Sequence, residues 1–172
     1  DPATQFAEAP FKSNVLTGPT LNAAGAGQFA IVGKPASSQI VGVGASYALG
    51  RAKFGANYTN TNFGDADGTT SSVMFNNYEL WGTYAFNPAT TVIAGYTLTT
   101  ARIGYATLDA KPEWDQFNLM LDYALSKRTD VYLMGIYQTA TGGAAASIYS
   151  STTGVSSTRN QVLFGGGVRT RF

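Results

Sequence analysis

From Thr158 to Phe172 the chain alternates without a break between two faces of an extended strand. Val162, Phe164, Gly166, Val168, Thr170 and Phe172 share one face; Arg159, Gln161, Leu163, Gly165, Gly167, Arg169 and Arg171 share the other. A soluble sandwich also alternates, but it turns its apolar face to a core and seldom stops on a bare aromatic. The pattern fits the closing strand of a membrane barrel, apolar outside and arginine inside.

The same asymmetry shows in the composition. Hydrophobic residues make up 44% of the 172-residue chain and charged residues only 12%, against about 25% charge in ordinary globular domains. Eleven basic and ten acidic residues give a formal net charge of +1, so no global field favours a polyanion, and nucleic acid is not an expected partner. No stretch approaches the roughly 20 apolar residues of a membrane helix, a test that membrane strands escape because their second face is polar. The chain has no cysteine and no histidine. That removes disulfides, thiolate metal sites, the usual general base and the commonest zinc ligand, so neither a metal nor another cofactor is expected. No signal-peptide pattern opens the chain, which reads as a mature form or as the continuation of a longer one.

From residue 39 onward, seven period-two segments follow one another: 39–49, 52–63, 73–86, 91–102, 114–125, 131–141 and 158–172. Their apolar phases run Val41, Val43, Ala45, Tyr47 and Leu49; Phe54, Ala56 and Tyr58; Tyr78, Leu80, Tyr84 and Phe86; Val92, Ala94, Tyr96 and Leu98; Phe117, Leu119, Leu121 and Tyr123. Segment 131–141 is apolar on both faces and its phase is open. Tight turns at Gly50-Arg51, Asn87 to Thr90 and Ser126 to Asp130 alternate with longer polar loops at 64–72, 103–113 and 142–157. Short turns at one rim and long loops at the other suit an outer-membrane barrel with periplasmic turns. Outward Tyr47, Tyr84, Phe86, Tyr123 and Phe172 near that rim would form an aromatic girdle. Residues 1–38, rich in Pro and Gly, break the rhythm and are expected as an extracellular loop region, with Gln28 to Val32 a possible short strand. Seven strands cannot close around a useful lumen, so the chain is expected to be part of a larger barrel.

At residues 41–65, 75–90, 121–142 and 160–172 the sequence resembles the trimeric general porins of beta-proteobacterial outer membranes, of the Burkholderia and Comamonas kind. The stretch LSKRTDVY, with the YQ that follows it, is its most specific carrier, and the terminal NQVLFGGGVRTRF is another. The resemblance implies an all-β transmembrane antiparallel barrel of sixteen strands, of which this chain supplies the C-terminal seven or so. It implies a homotrimer in the bacterial outer membrane, in contact with lipid and lipopolysaccharide, passing small hydrophilic and often anionic solutes. It also implies pairing with the N-terminal half of the same porin, which carries the inward constriction loop, and a terminal Phe172 read by the barrel-assembly machinery as an assembly signal.

Eight charged residues are candidates for the pore lining: Arg51, Lys53, Glu79, Asp115, Asp122, Arg159, Arg169 and Arg171. Each Lys or Arg facing lipid at the midplane would cost about 2–4 kcal/mol, so a water-filled interior accounts for them more simply. Lys127, Arg128 and Asp130 read as a solvated turn. Asp65-Ala66-Asp67-Gly68 begins like a calcium loop but lacks the later acidic ligands. Gly165-Gly166-Gly167 lacks the Lys-Ser/Thr of a phosphate loop and reads instead as small residues where the lumen or a neighbouring subunit comes close. A passive diffusion channel is therefore the leading reading. An outer-membrane enzyme would need catalytic groups that this stretch lacks. A small complete eight-stranded barrel or adhesin-like β protein, binding partners through its loops, would need an eighth strand from residues 1–38.

Overall fold

The computed structural model describes residues 15–16, 36–65, 70–104, 111–142, 144–148 and 156–172, and none of these is helical. Among the described residues nine strands follow in order: β1 (Val15–Leu16), β2 (Ser37–Leu49), β3 (Ala52–Gly64), β4 (Val73–Ala85), β5 (Thr90–Ile103), β6 (Glu113–Ala124), β7 (Thr129–Thr141), β8 (Ala144–Ala145) and β9 (Asn160–Thr170). Seven of them form one antiparallel sheet in the order β2-β3-β4-β5-β6-β7-β9, and β1 pairs with β8 in a two-stranded sheet. The long strands run 11 to 14 residues, enough to cross a bilayer at a tilt, which takes about 9–11 residues. The first of them begins at Ser37, two residues earlier than the periodicity suggests. β8 lies within the 142–157 segment, whose composition is that of a plain loop. Gln28 to Val32 falls outside the described residues.

Register holds each phase together. Gly82, Ala94, Leu119, Gly135 and Phe164 are successive cross-strand partners and so share one face. Every strand residue among the exposed large hydrophobics except Ile40 lies on that face. The pairing also decides the phase of β7: Val131, Leu133, Gly135 and Tyr137 sit opposite the outward residues of β6, and Asp130, Tyr132, Met134, Ile136, Gln138 and Ala140 face inward. A slip of one residue would invert that assignment, and pairing over eleven or more positions between neighbouring strands leaves no room for one.

Local chemistry makes the short turns. The Asn87 carboxamide oxygen accepts from the backbone N–H groups of Ala89 and Thr90, each at 2.9 Å. Ser126 Oγ does the same for Arg128 at 3.1 Å and Thr129 at 3.0 Å. These are side-chain mimics of a backbone turn, available to Asn and Ser because the side chain is short. Gly142, which leaves β7 at the opposite end, has φ +67, and a Cβ there would stand 2.2 Å from the Lys111 carbonyl oxygen. Only glycine can make that exit.

Candidate functional site: an inner wall and two rows of outward aromatics

On the inner face at the short-turn end, β6, β7 and β9 bring four charges together. Arg169 donates through Nε to Asp130 at 3.1 Å, through Nη2 to the other Asp130 oxygen, and through Nη2 to Asp122 at 2.9 Å. Arg171 stands 3.6 Å from Asp130. Asp130 and Arg169 are direct cross-strand partners, which is why a buried carboxylate can hold its cation here. Asp130 is only 4% exposed; it is the anchor of this cluster rather than part of a solvated turn, and Ser126 does the local capping instead. Two acids against two bases make the cluster neutral.

Lys53 and Glu79 also lie on the inner face. The Lys53 ammonium sits 5.4 Å from the centre of the Trp81 ring, a cation–π distance, and Glu79 accepts from the Asn57 amide at 3.3 Å. Arg51 is at the rim, where its guanidinium donates to the Phe86 carbonyl at 2.9 Å and ties one short turn to the next. Arg159 is exposed at the entry to β9, its carbonyl accepting from Ala140 N–H at 2.8 Å.

Asp115 stands elsewhere. Its position on β6 is odd, the parity of Phe117 and Leu119, and its cross-strand partner is the outward Leu98. It accepts a hydrogen bond from the hydroxyl of outward Tyr96. The pore-lining assignment for Asp115 is corrected: it lies on the outer face of the sheet, near the long-loop end. Three tyrosines share that level of polar contact. Tyr58 donates to Asn76 at 2.9 Å and Tyr137 to Asn160 at 3.3 Å, in the same manner as Tyr96 to Asp115. Tyr58 packs on Tyr78 with centroids 5.1 Å apart, and Tyr96 on Phe117 at 4.7 Å. Sequence reasoning misses this upper row of aromatics, although its residues stand in the outward phase. At the short-turn end Tyr47 meets Phe54 at 5.8 Å and Tyr84 meets Phe86 edge-on at 4.9 Å; Tyr123 is outward on β6, and Phe86 and Phe172 lie just beyond the ends of β4 and β9.

The long-loop end of the inner face is unlike the rest. Val73, Phe75, Ala101, Ile103, Trp114 and Ala140 form a buried apolar cluster there with Ala144 and Ala146, and Phe63 packs against it. Residues 144–148 fold onto this wall and are all buried. Their backbone groups are taken by side chains of three adjacent strands: Trp114 Nε1 donates to the Ala145 carbonyl at 3.1 Å, Gln138 Oε1 accepts from Ser147 N–H at 2.6 Å, and Gln161 Oε1 accepts from Ile148 N–H at 2.6 Å. Gln138 in turn donates to Gln116 at 2.9 Å, and Gln116 to Asn118 at 3.0 Å. Gly165 and Gly167 explain themselves on the same wall: a Cβ on Gly167 would stand 2.8 Å from the Tyr132 hydroxyl, and one on Gly165 3.0 Å from Met134. The close approach comes from side chains of β7.

A family model described as Gram-negative porin matches residues 4–143. No curated protein matches the chain. Among solved structures, the outer membrane protein OmpT of Vibrio cholerae, folded in vitro, aligns at 20% identity and a TM-score of 0.62 over 77% of this chain and 40% of its own length. A loop L8 deletion mutant of the same protein aligns at 20% identity and 0.61 over 77% of this chain and 37% of its own. At that identity the likeness concerns the fold, and the chain spans about two fifths of those structures.

Proposed function

Since the chain belongs to the Gram-negative porin family, which places it in the bacterial outer membrane, we propose that it forms part of a water-filled channel for passive diffusion of small hydrophilic solutes and ions, not an enzyme. One observation carries this reading. Apart from Ile40, the exposed large hydrophobics of the strands occupy one face of a seven-stranded sheet, and Lys53, Glu79, Asp122, Asp130 and Arg169 occupy the other. Lipid tolerates the first face and water the second. The long-loop end is then extracellular and the short turns periplasmic.

Among the described residues the sheet ends on β2 and β9, which do not pair with each other. Unpaired edges of 13 and 11 residues are not stable in hydrocarbon. Further strands of the same porin, the beta-proteobacterial trimeric type that the sequence resembles, pair with both edges, and three such barrels assemble with lipopolysaccharide around them. That β1 pairs with β8, and not with β2 or β9, favours this arrangement over a small eight-stranded barrel. Of the inward charges, Arg169 and Arg171 are paired with carboxylates and Lys53 shares its face with Glu79, so these residues carry no net charge and an anion preference would rest on the solvent-facing sides of the two arginines. Reconstitution of the full-length protein in planar bilayers tests the reading. Stepwise ion-conducting insertions are expected; correctly folded protein that opens no pores would refute it.

A further inference from the structure

Any water-filled mouth should be lined by polar side chains, yet the inner wall at the long-loop end carries Phe63, Val73, Phe75, Ile103 and Trp114. Left open to water, each large side chain among them would forgo about 1.5–3 kcal/mol of burial. Residues 144–148 cover part of this wall, and they are held in two ways at once. Ala144, Ala146 and Ile148 are buried on it, and the backbone at 145, 147 and 148 is bonded by Trp114 on β6, Gln138 on β7 and Gln161 at the start of β9. The Ala146 carbonyl is closed by Ser156 N–H at 2.9 Å, which pins the far side of the segment. Backbone groups bonded to wall side chains at 145, 147 and 148 cannot lift independently, because each would be left buried and unpaired during the motion.

We propose that residues 144–148 are a fixed strap across the extracellular mouth of the channel, which sets its width from the side of β6, β7 and β9, with Gln138 and Gln161 as the positioning residues. The proposal rests on the porin reading above and adds to it a size-limiting element within this chain. Gln138 has the geometry for this: it is 2% exposed, accepts from the strap with its oxygen and donates to Gln116 with its nitrogen, so its amide has one orientation. The segment is itself covered, with β1 paired to it at Ala144 and Ala145, and permeation of larger solutes would depend on its staying down.

The test uses the full-length protein in bilayers and in vesicles that swell with graded neutral sugars. Two variants are compared with wild type: one lacking residues 144–148, and the double substitution Gln138→Ala with Gln161→Ala, which keeps chain length. Both should raise single-channel conductance and admit larger sugars, the double variant with added current noise. A third protein carries Ala146→Cys in the otherwise native chain. Its thiol should resist a membrane-impermeant thiol reagent and become reactive once Gln138 and Gln161 are replaced. Wild-type protein without pores would defeat the porin reading. Wild-type pores whose conductance and sugar limit survive in the folded variants, or an Ala146→Cys thiol labelled at once in the native channel, would defeat the strap alone.

Discussion

Leu119 and Asn118 are adjacent in sequence and should respond in opposite ways to the same substitution. Leu119 is 58% exposed on the outer face. It stands six residues from Glu113 and five from Ala124, the ends of β6. A strand rising about 3.4 Å per residue and tilted about 40° climbs about 2.6 Å per residue along the bilayer normal. Leu119 therefore sits about 16 Å below one strand end and about 13 Å above the other, close to the middle of a hydrocarbon layer about 30 Å thick. Leu119→Arg should cost about 2–4 kcal/mol, the midplane penalty for arginine against lipid. Asn118→Arg points into water and loses only the bond from Gln116, a cost of about 0.5–1.5 kcal/mol. Refolding of the full-length protein from urea into vesicles, followed as folded fraction against denaturant, measures both. The Asn118→Arg channel should also shift its reversal potential toward anions, while the Leu119→Arg channel, where it folds, should not. Equal costs, or a larger cost at position 118, would mean that the two faces are exchanged and the inner wall is misassigned.

Asp130→Asn removes one negative charge from the cluster, leaving Arg169 with Asp122 alone and taking the Asp130 carboxylate from Arg171, and should move the reversal potential toward anion selectivity; an unchanged potential would show that the cluster lies off the ion path. Gly167→Ala should destabilise the folded barrel by about 1–3 kcal/mol because its methyl group meets the Tyr132 ring, and Tyr132→Ala should remove most of that cost in a double-mutant cycle; additive effects would refute the contact. Trp114→Phe leaves the Ala145 carbonyl without its donor and should lower the stability read from the denaturation curve by about 1–3 kcal/mol, whereas a curve equal to wild type would show that the bond contributes nothing.

Parity alone makes the outer face legible. Leu80, Val92, Leu119 and Phe164 can be placed because lipid enforces a strict alternation over a whole strand. β7 escapes because Met134 and Ile136 on its inner face are as apolar as Leu133 on its outer face, and only its partners β6 and β9 decide the question. Asp115 is misplaced when charge is given more weight than parity, because near a membrane interface the outer face itself turns polar. Asp130 hides in a turn-like run of charges, and its role follows from its register with Arg169, 39 residues away. The strap cannot be read at all: Ala-Ala-Ala-Ser-Ile has no period of its own, and what holds it are side chains of Trp114, Gln138 and Gln161, distant in sequence and ordinary in type.

The hydroxyls of Tyr58, Tyr96 and Tyr137 are already committed to protein acceptors on the same face. Rings tethered at their far ends cannot swing to follow a headgroup layer that rises or falls. In a bilayer of the wrong thickness the lipid must therefore stretch or compress to meet the protein, at a fraction of a kcal/mol per ångström of mismatch. The level at which the particle floats is thus a property of its own hydrogen bonds, and a change of lipid chain length should deform the surrounding membrane before it displaces the barrel.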